Sequence, residues 1–152
     1  MTVPAARLSS FYLFYYAALG AFTPYWSLFL TARGMSVTAI SVMMGLWYAT
    51  RVVAPSTWTT LAAASPRPIR LLRVGCVLTL LSFAVFLLPL PQPWMYPAMV
   101  VFCFFYNAVM PQFESITLTH LGSDSHRYGL IRVGGSRGFI AVVTLFGWLI
   151  EG

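Results

Sequence analysis

A chain of 152 residues that is 59% hydrophobic and only 8% charged carries more apolar surface than a soluble domain of its size can bury, so its solvent is mostly lipid. All nine basic residues are arginine, and Glu114, Asp124 and Glu151 are the only acids, which makes the formal net charge +6. In a soluble domain that balance would suit a polyanion; here the arginines cluster in alternate loops, which fits membrane topology and speaks against a nucleic-acid partner.

The first apolar run, residues 9–30, holds no charge and exceeds the roughly 20 residues needed to cross a bilayer core. It is too long and too aromatic for a signal peptide, and no small-residue cleavage site follows it, so a retained helix is expected. A polar hinge with Arg33 and Gly34 leads to a second span at about 39–64, interrupted by Arg51 and Pro55. Proline cannot donate the helical ladder bond, so Ser65-Pro66-Arg67-Pro68 is expected to break the chain before a third span at about 71–88. Pro89, Pro91 and Pro93 close that span, and Trp94 and Tyr96 sit where an interfacial aromatic belt would place them. A fourth span at about 94–121 and a fifth at about 128–150 follow, separated by a polar loop.

The expected fold is therefore an all-α membrane protein with about five transmembrane helices. Short cytoplasmic loops are rich in arginine, and Arg7, Arg67, Arg70, Arg73 and Arg127 fall on one side against Arg33 on the other. This predicts a cytoplasmic amino terminus. An odd number of spans, ending at Glu151-Gly152 just past a helix, leads to the expectation of a chain truncated before a sixth helix.

Charges inside hydrocarbon cost about 2.5–3.5 kcal/mol each, so they mark function or helix pairing. Glu114 stands about seven residues before the end of its span and Arg132 about four after the start of the next, both roughly 6–10 Å deep. At matched depth they can pair, either at a solute site or simply to hold two helices together. Arg51 lies near the middle of its span, and Arg137 about 14 Å into the fifth helix. If both share a cavity with Arg132, the cavity is electropositive and favours an anionic solute. The alternative for Arg51 is a bond to backbone carbonyls freed at Pro55. Gly134 and Gly138 form a Gly-x-x-x-Gly pair that allows close helix approach, and Pro111 is expected to kink the fourth helix. In the first span Tyr12, Tyr15, Tyr16 and Leu19 share one helical face, either a packed stripe or one wall of an aromatic pocket. Cys76, Cys103, His120 and His126 show no metal-ligand spacing, and no nucleophile elbow, phosphate loop or paired catalytic carboxylate occurs. Neither an enzyme, nor a metal, nor a cofactor is expected.

Four stretches together resemble the amino-terminal half of a major facilitator superfamily carrier: Phe22-Thr23-Pro24-Tyr25-Trp26-Ser27-Leu28-Phe29-Leu30, Arg51, Pro111-x-x-Glu114, and Tyr128-Gly129-x-x-Arg132-x-x-Gly135-Ser136. The resemblance is strongest to the phenylpropionate permease-like branch, which is related to lactose permease and nucleoside–proton symporters. It implies a six-helix bundle as one of two pseudosymmetric halves around a midplane site, with the carboxy-terminal half missing here. It also implies that Glu114 and Arg132 bind substrate, Arg51 and Arg137 shape the charge of the cavity, and first-helix aromatics such as Tyr16 and Tyr25 contribute. One departure stands out: Ala62-Ala63-Ala64-Ser65-Pro66-Arg67-Pro68 lacks the glycines and the acid that the superfamily usually carries in this loop.

The expected function is proton-coupled import of a small organic solute across the bacterial cytoplasmic (inner) membrane, with an aromatic carboxylate such as phenylpropionate favoured and a sugar or nucleoside as alternatives. A rival from another class is a non-transporting remnant or assembly subunit. The partners expected are the small-molecule substrate, the proton, the lipid bilayer and the missing half.

Overall fold

A computed structural model describes residues 5–151, apart from the side chains of residues 123–125 and 151. The carboxylates of Asp124 and Glu151, and the expected break at Gly152, lie outside the described residues. The chain forms α1 (Ala5–Ala32), α2 (Val37–Ala64), α3 (Pro68–Ala84), α4 (Gln92–Leu121) and α5 (Tyr128–Glu151), with no strand among the described residues.

Helix ends depart from the ends of the apolar runs for local reasons. α1 starts at Ala5 rather than Ser9, because Ala5, Ala6 and Arg7 are strong helix formers and the hydrocarbon boundary does not stop a hydrogen-bond ladder. α3 starts at Pro68, where a proline at the first helical position loses no ladder bond. A 3-10 turn, Val85–Leu87, then ends in an extended Leu88, as Pro89 requires of the residue before it. Between α1 and α2, Gly34 takes φ 74°, and Ser36 caps α2 by accepting from the Ala39 amide at 3.3 Å. Among the described residues four helices, α2, α3 with its 3-10 extension, α4 and α5, are long and apolar enough to cross a membrane. α1 is as long as α2, at 28 residues each.

Two compact units emerge. The first combines residues 1–34 with 117–152, and α1 and α5 are its main pair. They run parallel: Ser9 lies at Gly134, Leu13 at Gly138, Gly20 at Phe139, and Tyr25 at Val143 and Gly147. A Cβ at Gly20 would stand 2.9 Å from the Phe139 carbonyl oxygen, and one at Gly134 would stand 2.9 Å from that of Ser9. Only hydrogen fits there, so the Gly-x-x-x-Gly pair receives α1. The Tyr25 hydroxyl donates to the Val143 carbonyl at 2.8 Å, and its ring lies 5.6 Å from that of Phe146. Parallel pairing puts Arg7 and Arg127 at one end of this unit and Arg33 at the other.

The second unit, residues 35–116, packs α2, α3 and most of α4 around Trp58. Ala54, Trp58 and Ala108 are buried together, with Leu71, Phe104 and Phe105 against them. Gly75 makes room on α3: a Cβ there would stand 3.0 Å from both Trp58 and Val109. α2 and α4 are also parallel, since Trp47 and Thr50 meet Asn107 while Trp58 meets Gln112.

Candidate functional site

Arg132 sits on the first turns of α5, one turn after Tyr128, so residues four apart share a face. Its Nη1 donates to the Tyr128 hydroxyl at 3.3 Å and its Nη2 to the Tyr16 hydroxyl at 3.4 Å, both long hydrogen bonds. The guanidinium carbon lies 5.8 Å from the Tyr128 ring centroid, within cation–π range. The rings are themselves supported: Tyr128 meets the buried Tyr12 edge-on at 6.3 Å, and Tyr16 meets Tyr15 at 5.5 Å. Gly135 lets the Tyr16 ring lie against α5, because a Cβ there would collide with it. An exposed guanidinium steadied by two phenols, on a helix of membrane length, is suited to hold a planar oxyanion such as a carboxylate.

Glu114 is half-buried on α4 in the second unit, whereas Arg132 belongs to the first. Just before it, two buried carboxamides fix α4. Asn107 Nδ2 donates to the Thr50 hydroxyl at 3.1 Å and the Trp47 carbonyl at 3.3 Å. Gln112, 2% exposed, accepts from Trp58 Nε1 at 2.6 Å and donates to the Pro68 carbonyl at 2.8 Å.

Arg51 and Arg137 are exposed on α2 and α5, and neither side chain has a hydrogen bond or ion pair among the described residues. The alternative for Arg51, a side-chain bond to a carbonyl freed by proline, is not formed; the carbonyl that Pro55 cannot serve is that of Arg51 itself. Arg137 stands five positions after Arg132, about 140° further round α5, so the two do not share a face. Of the first-helix tyrosines, Tyr16 joins Arg132 and Tyr25 is tied to α5 further along. A cavity of about 310 Å³ in the second unit, beside Ser82, Val85, Trp94 and Pro97, has an almost wholly apolar lining. Its Ser82 hydroxyl donates to the Leu78 carbonyl of its own helix at 2.6 Å, which leaves little to orient a polar solute. Among the described residues no three His, Cys, Asp or Glu side chains gather as metal ligands would.

The MFS_1 like family matches residues 5–152. The chain belongs to this family. A maltose permease of Geobacillus stearothermophilus is 32% identical over 151 residues, covering 97% of this chain and 38% of the permease. A probable 3-phenylpropionic acid transporter of Escherichia coli (strain K12) is 27% identical over 139 residues, covering 91% of this chain and 37% of that protein. The chain thus spans well under half the length of either relative. No solved structure matches it. For this MFS_1-like chain, sequence reasoning singled out Arg132 and Tyr16 as site residues but assigned no role to Tyr128 or Gln112. The i, i+4 spacing of Tyr128 and Arg132 carried the signal for the first. Nothing in the sequence signals Gln112, whose role comes from helices far apart in the chain.

Proposed function

We propose that this MFS_1-like chain is the amino-terminal part of a secondary carrier in the bacterial cytoplasmic membrane, importing a small organic solute together with protons. The observation that carries the reading is the Arg132 guanidinium held by Tyr16 and Tyr128 on a helix of membrane length. It favours an aromatic carboxylate, with Arg132 receiving the carboxylate and Tyr16 lining the solute. Glu114, Arg51, Arg137 and Tyr25 stand as further solute-site candidates, each on its own helix. The identity with a maltose permease supports a second reading, a sugar symporter. Five arginines near span ends against one favour a cytoplasmic amino terminus.

Uptake of labelled 3-phenylpropionate and of labelled maltose, into vesicles of the native membrane under an imposed proton gradient, tests the proposal. Arg132→Ala is expected to abolish uptake while leaving membrane insertion intact. Wild-type affinity in that variant removes Arg132 from the site. Joint replacement of Glu114 and Arg132 by an apolar pair separates the rival: full function would show that the charges only hold helices together.

A further inference from the structure

Gln112 lies inside the Pro-x-x-Glu stretch, yet its side chain is buried and bonded to neighbouring helices. Its oxygen is bound to α2 through Trp58 and its nitrogen to the first residue of α3 through the Pro68 carbonyl, so one carboxamide joins three helices. Pro111 precedes it and cannot donate to the Asn107 carbonyl, which removes one ladder bond from α4 at this point. The Asn107 carboxamide holds α2 on the other side of that gap. Two buried carboxamides therefore bracket the proline, and together they fix how α4 is turned about its axis there. Glu114, two residues beyond Gln112, projects about 200° round the helix from it. A rotation set by Gln112 on one flank sets the direction of Glu114 on the other.

We propose that Gln112 is a positioning residue that sets the presentation of Glu114 and clamps the α2–α3 turn to α4. The proposal rests on the carrier reading for the role of Glu114, but the clamp itself does not depend on that reading. The charged and titratable groups on the elements that pack against it are Arg51 on α2, Arg67, Arg70 and Arg73 at and after the α2–α3 turn, and Glu114 and His120 on its own helix.

Gln112→Glu supplies a titrating replacement. Protonated, the carboxylic acid can accept from Trp58 and donate to Pro68 as the amide does; ionised, it sets a carboxylate against a carbonyl oxygen. Gln112→Leu is the non-titrating control. Uptake of 3-phenylpropionate and maltose is measured from pH 5 to pH 8 for both variants, each as a ratio to wild type at the same pH and per amount of inserted protein. The expected result is a rise in KM of roughly 5–100-fold for Gln112→Leu at every pH. For Gln112→Glu the KM should be near wild type at acid pH and rise towards that of Gln112→Leu as the pH increases. A KM ratio for Gln112→Glu that stays flat with pH overturns the proposal, and this measurement stands even if the leucine variant fails to insert. Trypsin cleavage after Arg70 in opened membranes needs no solute. Faster cutting of Gln112→Glu at alkaline than at acid pH, relative to wild type, supports the clamp even if wild type takes up neither solute and the carrier reading falls. Equal cutting at both pH values overturns the clamp.

Discussion

The α1–α5 seam permits a test whose magnitude follows from the geometry. A methyl group at Gly138 would be driven into the backbone of Leu13, reaching its carbonyl oxygen, with the carbonyl carbon at 3.0 Å and the Cα at 3.2 Å. All three are backbone atoms, so no rotamer change relieves the clash and the helices themselves must part. At Gly45, in the body of α2, a Cβ meets nothing within 4 Å. Replacing glycine by alanine inside a helix gains about 1 kcal/mol at both sites. Gly138→Ala alone then pays an overpacking cost of about 1–3 kcal/mol. The difference between the two variants cancels the propensity gain and isolates the clash. With about 2–4 °C per kcal/mol for chains of this size, Gly138→Ala should melt about 2–12 °C below Gly45→Ala. Thermal unfolding of the two purified proteins in the same detergent reads that gap directly. Equal melting temperatures would mean that α1 and α5 do not touch backbone to backbone at Gly138.

Two further outcomes follow from the same geometry and from the arginine pattern. Tyr25→Phe removes the 2.8 Å bond to the Val143 carbonyl while keeping the ring beside Phe146, and should cost about 0.5–1.5 kcal/mol of stability in the same melting assay, with uptake retained if the phenol serves only the helix pair. A single cysteine placed at residue 2, in a chain with Cys76 and Cys103 replaced by serine, should react with a membrane-impermeant maleimide in inside-out vesicles and resist it in right-side-out ones; the reverse pattern would refute the arginine-based orientation.

Much of the architecture was legible because lipid is a demanding solvent. A run such as residues 71–88, too long for one barrel strand, satisfies its backbone in hydrocarbon as a helix, so composition and length together identify the element. Proline and glycine marked the breaks at Ser65–Pro68 and at Gly34 for equally local reasons. The Gly134 and Gly138 pair announced a close approach, yet no local rule names α1 as the helix that approaches. The same division holds at the candidate site. Arg132 was visible as a charge in an apolar segment, and its neighbour Tyr128 was within reach of helical spacing.

Tyr16 is 116 positions from Arg132, and Gln112 is 54 from Trp58 and 44 from Pro68. By itself the sequence determined that this is an all-helical membrane chain of major facilitator type, and which charges are costly enough to need a reason. Only the tertiary structure decided that Tyr16 turns to Arg132, that Tyr25 is tied to α5, and that Gln112 joins three helices. Helix formation is settled by residues within a turn of one another, whereas the choice of partner depends on which surfaces packing brings together from distant parts of the chain.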